Sequence, residues 1–459
     1  MYLAADVVKN GFFFSPDNVN KRYPGILTVS NGGRISLEIT TDEDAFTTFD
    51  EMVIGRLIGQ VEGGYLTLEG CEYRNMSFSF PGTTSKSLIA AQLAFVGAGL
   101  SGPTKFRSLQ FCVDNLSEWL GKSAFKIAIG NSTEDWSLTL QRPEPVEYEL
   151  FDGTKLIIGM NVRVPGGTKY PNMELYQQAY IQVTPVESQN FDFFQSISHR
   201  ITRFLSFVIG QPVAIHSLKA KVDDPEVDEI HQWLDIYFQS LNNSAQKPLK
   251  SNEMLLNFSN ISSRLGNLLS LWLKEYDNLS PALHHYFSVQ DDSHAYIDSK
   301  FLSMAQALEA FHRRTSDTRK WSKKDYKEKI TSILKTCPIE EREWLKQKLN
   351  YGYELSFGER LHLLIDDIAE VFGGSKNADA IVQGTVRTRN YQAHYDPQGA
   401  RKAIKGVRLV SLIFRLRVLF ALRLLIRLGL TSQEAIKLTK VPPLALLLRN
   451  ANFIEQNNE

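Results

Sequence analysis

Cysteine is scarce in these 459 residues: Cys71, Cys112 and Cys337 lie far apart, and no CxxC pair occurs. That spacing excludes a disulfide framework and a cysteine zinc site, and it suits a reducing cytoplasm. No HExxH is present. His199, His216, His231, His284, His285, His294 and His362 follow no other metal-ligand spacing, so neither metal nor cofactor is expected. G-x-x-x-x-G-K-[ST] and G-x-S-x-G are also missing, which removes the commonest NTPase and α/β-hydrolase readings. The opening MYLAADVVKNGFFF lacks the basic start, apolar run and small-residue cleavage site of a signal peptide, so a cytoplasmic location is expected. Long apolar runs are missing too, apart from Val407–Leu430. Five arginines interrupt it (Arg408, Arg415, Arg417, Arg423 and Arg427), and a central arginine costs about 3 kcal/mol on insertion. The stretch is expected to be a helix buried on one face, with no membrane as partner.

Excess charge is lacking overall, with 51 basic and 51 acidic residues, yet its distribution is uneven. From His285 onward there are 28 Lys+Arg against 20 Asp+Glu, and Pro397–Arg449 holds 11 basic residues and one acid, Glu434. This asymmetry points to a phosphate-bearing ligand for the C-terminal part. A hydrophobic fraction of 43% with 22% charged residues describes a globular chain, and the length predicts two or three domains.

The fold class read from the pattern is α+β and multidomain. Over 1–185, short alternating runs separated by turn residues predict an antiparallel β-sandwich or barrel. Asn31-Gly32-Gly33 between Ile26–Val29 and Ile35–Ile39 is a hairpin signature, as is Asp152-Gly153-Thr154 between Val146–Phe151 and Lys155–Val164. Further strands are expected at Tyr65–Leu68, Met76–Phe80, Leu88–Val96, Leu109–Val113 and Tyr176–Val183. Gly97–Gly102 matches G-x-G-x-x-G, but Pro103 and the next strand-like run leave no helix for a dinucleotide, so a loop is expected. Residues 186–280 read as a mixed connecting subdomain: a helix at Phe193–Ile209 ended by Gly210, then Val213–Lys219 and an amphipathic stretch around Trp233–Phe238, a polar loop at Asn242–Asn252 and a helix at Leu255–Tyr276. Over 281–459, helical periodicity predicts an all-α bundle, with segments at Tyr296–Arg314, Lys323–Thr336, Ile339–Leu349, Phe357–Phe372, Asn377–Arg389 and Gln398–Leu428. Asp396-Pro397 reads as the start of the last of these. On that helix Arg408, Arg415, Arg423 and Arg427 fall within about 120°, predicting a basic edge.

Between two of these helices lies Arg389-Asn390-Tyr391-Gln392-Ala393-His394. Metal-free RNA cleavage needs the ribose 2′-OH activated, charge stabilised on the phosphorane and the 5′-oxygen protonated. Histidine titrates near neutral pH and can take or give the proton, while arginine offers a fixed fork of donors to phosphate oxygens. His394 is therefore the candidate general base or acid and Arg389 the candidate transition-state stabiliser. Asn390, four before His394, would share its face on a continuing helix and could orient the ring. Arg389 and His394, five apart, diverge by about 140° on such a helix. They converge only if the helix ends between them or if a second subunit supplies the partner group. Arg387, Arg401, Lys402 and Lys405 flank the motif as candidate RNA-binding cations.

The R-x4-H motif resembles that of the HEPN superfamily of ribonucleases. Together with the β-patterned N-terminal half and the QALEAFHRR stretch (Gln306–Arg314), the chain resembles the ApeA family of anti-phage defence proteins. That resemblance implies an endoribonuclease acting in abortive infection, a homodimer with composite sites, and an N-terminal domain that senses a phage component or restrains the nuclease. It also places Glu309 near the motif as a supporting residue, beside the ion pair its spacing to Arg313 predicts. A non-catalytic interaction module with a ligand-sensing β domain is the alternative.

Overall fold

Asn31-Gly32-Gly33 reverses the chain between β2 (Tyr23–Ser30) and β3 (Arg34–Thr41), with Ser30 opposite Arg34 and Val29 opposite Ile35. Gly32 and Gly33 hold φ of 90° and 71°, a region glycine enters without steric cost. The computed structural model describes residues 1–41, 46, 52–75, 85–129, 136–163, 174–223, 233–240, 244, 246–291, 295–317, 319–350, 352–395 and 397–457. The run expected at Met76–Phe80, together with Val164, His231, His294 and Asp396, lies outside the described residues.

The remaining early strands are β1 (Val7–Phe14), β4 (Val53–Val61), β5 (Gly64–Asn75) and β6 (Ser85–Ala91). They pair in the order β5-β4-β1-β2-β3-β6, and β6 pairs back onto the end of β5, with Tyr73 opposite Ile89. Six antiparallel strands thus close into a barrel. Its alternating residues point inward and exclude water: Phe13, Leu27, Val29, Leu37, Ile39, Leu57, Leu66 and Leu68 are at most 1% exposed. The earlier part of β5 pairs instead with β7 (Leu93–Val96). Here the expected single run Leu88–Val96 breaks at Gln92, because its two halves pair with different stretches of β5. Gly70 (φ 62°) sits at the switch against the Gln92 side chain.

From β7 the sheet continues through strands that come later in the chain: β8 (Phe106–Val113), β11 (Val146–Glu149), β12 (Lys155–Arg163), β13 (Tyr176–Thr184), β14 (Ile215–Val222) and β15 (Trp233–Phe238). The order is β7-β15-β14-β8-β13-β12-β11. β9 (Phe125–Ile129) and β10 (Trp136–Leu140) form a separate hairpin. Gly97–Gly102 is the loop between β7 and β8. After α1 (Leu116–Leu120), helix α2 (Phe191–Ile209) is capped by the Asn190 side chain, which accepts from the Phe193 N–H. Gly210 (φ 90°) ends it. α2 buries Phe194, Phe204 and Phe207, and Trp272 packs on Phe204 while donating to the Arg200 carbonyl at 2.8 Å.

Two compact units result, Met1–Leu273 and Lys274–Glu459. Within 186–280, β14 and β15 belong to the N-terminal sheet through β8 and β7. The helix expected at Leu255–Tyr276 is a short α3 (Phe258–Ile261) followed by α4 (Leu265–Asp291), inside which the boundary falls.

The second unit is helical: α5 (Ile297–Thr315), α6 (Lys323–Thr336), α7 (Arg342–Leu349), α8 (Phe357–Ile365), α9 (Ser375–His394), α10 (Val407–Arg427), α11 (Ser432–Lys437) and α12 (Leu444–Gln456). α10 is its centre, with Leu416, Phe420, Leu422 and Leu424 fully buried. Phe420 stacks on Tyr286 at 4.7 Å and meets Phe311 edge-on at 5.6 Å. α10 begins at Val407 rather than beside Asp396-Pro397. Gly406 (φ 57°, ψ −138°) precedes its first turn, and among the described residues the stretch before it holds a 3₁₀ turn at Gly399–Arg401 and no α-helix. Among the described residues, no helix is long and apolar enough to cross a membrane.

Candidate active site

The hexapeptide forms the last turns of α9, which runs unbroken through His394 and ends at Tyr395 in a left-handed turn (φ 49°). The helix therefore does not end between Arg389 and His394, and the two diverge by about 140° around its axis. The same periodicity sends Gln392 inward: it is 6% exposed, and its amide donates to Asp298 of α5 at 2.7 Å. His394 is exposed, and among the described residues no hydrogen bond holds its ring.

Arg389 is half-buried against α5 and α8. Its Nη2 lies 3.5 Å from Glu309 Oε2, its Nη1 lies 3.4 Å from the Asn390 amide oxygen, and its guanidinium sits 5.6 Å over the Phe357 ring. Glu309 serves two arginines, since Oε1 also takes Arg313 Nε at 3.3 Å, one helical turn on. The expected ion pair and the expected proximity to the motif thus coexist on one carboxylate. Asn390 is brought to Arg389.

The chain of charges goes further. Arg313 Nη1 reaches Glu354 Oε2 at 2.8 Å, and that same oxygen lies 3.3 Å from Nη2 of Arg360. Arg360 is fully buried, donates to the Leu355 carbonyl at 3.1 Å and stands 3.4 Å from His312 Nδ1. Burial, followed by repulsion from Arg360 and Arg313, holds the His312 pKa below its usual value and so favours the neutral ring. Sequence reading missed this network beyond Arg313, because Glu354 and Arg360 lie 41 and 48 residues from their partners and follow no helical spacing.

The flanking cations are exposed. Arg387 bonds Gln383 at 3.0 Å, Arg401 and Lys402 stand at the 3₁₀ turn, and Lys405 lies 5.0 Å over the Tyr391 ring. Their loop is pinned to α9: Ile404 N–H donates to the buried Thr388 hydroxyl at 3.0 Å, and Ile404 packs where Gly384 has no side chain. The basic edge expected on α10 is corrected, because three of its four arginines are neutralised within the unit. Arg415 pairs with Glu455 at 2.5 Å, Arg423 with Asp367, and Arg427 with Glu275 at 2.8 Å. Among the described residues, no group of three His, Cys, Asp or Glu side chains could hold a metal.

Residues 302–434 match the Apea-like HEPN family, so the helical unit that carries the Arg389–Glu309 contact is a HEPN-type domain. Residues 8–272 match ApeA N-terminal domain 1, and the chain belongs to the ApeA family of HEPN-type defence proteins. No curated protein and no solved structure matches it.

Proposed function

We propose that the chain is a metal-independent endoribonuclease acting in abortive anti-phage defence, as a homodimer whose paired HEPN domains complete each site. In this reading His394, general base or acid, moves a proton at the 2′-OH or at the leaving 5′-oxygen. The 2′-oxygen bonds to phosphorus, the P–O5′ bond breaks, and the products end in a 2′,3′-cyclic phosphate and a 5′-hydroxyl. Arg389, aimed by Glu309 and Asn390, stabilises the charge that builds on the phosphorane. The N-terminal unit senses a phage component or restrains the nuclease.

The observation that carries the reading is the clasp of Arg389 by Glu309 at the end of a helix that presents His394 to solvent. The test is incubation of the purified chain with total RNA and EDTA. Cyclic-phosphate ends are expected from the wild type and not from Arg389→Ala or His394→Ala, both folded. RNA that is bound but left whole by the wild type points instead to a non-catalytic interaction module, and loss of cleavage on adding EDTA overturns the metal-free assignment.

A further inference from the structure

Helices α6 and α7 leave the bundle as a hairpin whose ends meet: Arg319 and Glu354 form a bridge, and the Lys320 N–H donates to the Tyr353 carbonyl at 2.8 Å. Only Tyr326 of α6, and no residue of α7, is buried, so packing alone does not account for the excursion. A groove of about 540 Å³ runs between the two helices, lined by Lys323, Lys327 and Lys346 together with Tyr353, Ile330 and Leu334 among others. The three lysines are exposed, and from 319 to 329 the chain carries six basic residues against two acids. Aromatic rings support this basic face. Trp321 stacks on Tyr326 at 5.7 Å, Tyr326 meets Tyr353 at 5.7 Å, Lys329 stands 4.7 Å over Trp321, and Lys323 stands 5.9 Å over Tyr353.

A lysine-lined groove with a half-exposed ring in its wall is suited to a flexible polyanion with flat bases: phosphates meet the ammonium groups, and bases stack on the ring. An acidic peptide would meet the charge without using the ring. The groove is also tied to the motif. Tyr353 precedes Glu354, which holds Arg313, which shares Glu309 with Arg389.

We propose that the α6–α7 groove binds single-stranded RNA and leads the substrate to the Arg389 end of α9. This rests on the nuclease reading for its purpose, and its test is independent of cleavage. An all-2′-O-methyl oligonucleotide of about 12 nucleotides has no free 2′-OH, so the 2′-OH attack proposed above cannot cut it. Binding of this fluorescent probe to the full chain is followed by anisotropy over a range of salt. Replacing Lys323, Lys327 and Lys346 by alanine is expected to weaken binding about tenfold or more and to reduce the slope of log K against log salt by about 2. The control triple Lys376→Ala, Lys437→Ala, Lys440→Ala removes the same charge elsewhere on the unit and should change affinity by less than about twofold. Equal losses in the two triples, an unchanged slope, or a wild type that binds polyglutamate but not the probe would each overturn the proposal. A wild type that binds through these lysines yet leaves natural RNA whole would overturn the nuclease reading and keep the groove.

Discussion

Glu309 divides one carboxylate between Arg313 and Arg389, and this decides what its loss should do. Both pairs are partly exposed, so their contribution to stability is below about 1 kcal/mol. Their contribution to aim is larger, because a guanidinium freed from its anchor samples many rotamers. Glu309→Gln should melt within a few degrees of the wild type while cutting RNA about tenfold more slowly or worse; equal cleavage rates would remove Glu309 from the site. His312 makes a separate prediction. Its folded pKa lies below the unfolded value of about 6.5. Above that value neither state holds the proton, and stability is unaffected. As pH falls below it, the unfolded chain takes up a proton that the folded chain refuses, and stability drops. Melting at about pH 7.5 and about pH 5.5 should show a smaller acid loss for His312→Gln than for the wild type. At this scale the Glu309–Arg313 pair was legible, because its four-residue spacing on a helix is a local pattern. Glu354 and Arg360 were not, since they join the network only through tertiary folding.

Among the elements, turns and caps could be read most directly. Asn31–Gly33, Asp152–Thr154 and Gly210 each impose a backbone conformation that few other residues accept, and the chain turns or stops at each. The start of α10 was misread because Asp396-Pro397 carries a helix-start pattern, whereas the helix begins after Gly406. The loop left over is fitted to α9 at Gly384, where an added Cβ would lie 2.6 Å from Ile404 Cδ1, the tip of a flexible side chain. Gly384→Ala should thus be close to neutral, the small shift of Ile404 offset by better helix propensity. Gly384→Leu should cost about 1–3 kcal/mol by overpacking and push Lys402 and Lys405 from their place. Thermal melting of the two variants separates these outcomes.

For the whole molecule, the reading of a β unit followed by a helical unit came through, because periods of 2 and 3.6 separate cleanly along the chain. Strand alternation alone left sandwich and barrel both open, since the choice depends on β5 pairing with β6 in one half and β7 in the other. The unbroken course of α9 bears on assembly. If each site takes Arg389 from one chain and His394 from its partner, mixing inactive Arg389→Ala and His394→Ala chains restores whole sites. Half the dimers would be mixed, each with one intact pair, so recovery should reach about one quarter of the wild-type rate. No recovery after verified subunit exchange would place both groups of a site on the same chain.

The meeting of Arg319 with Glu354 has a consequence for how such a protein can diversify. An excursion that leaves and returns at one point can be lengthened, shortened or exchanged without rethreading the helices beneath it. The α6–α7 hairpin is thus a cartridge, about thirty residues that can be exchanged while the helices beneath keep their course. The same point is a place to graft a reporter while leaving the bundle whole.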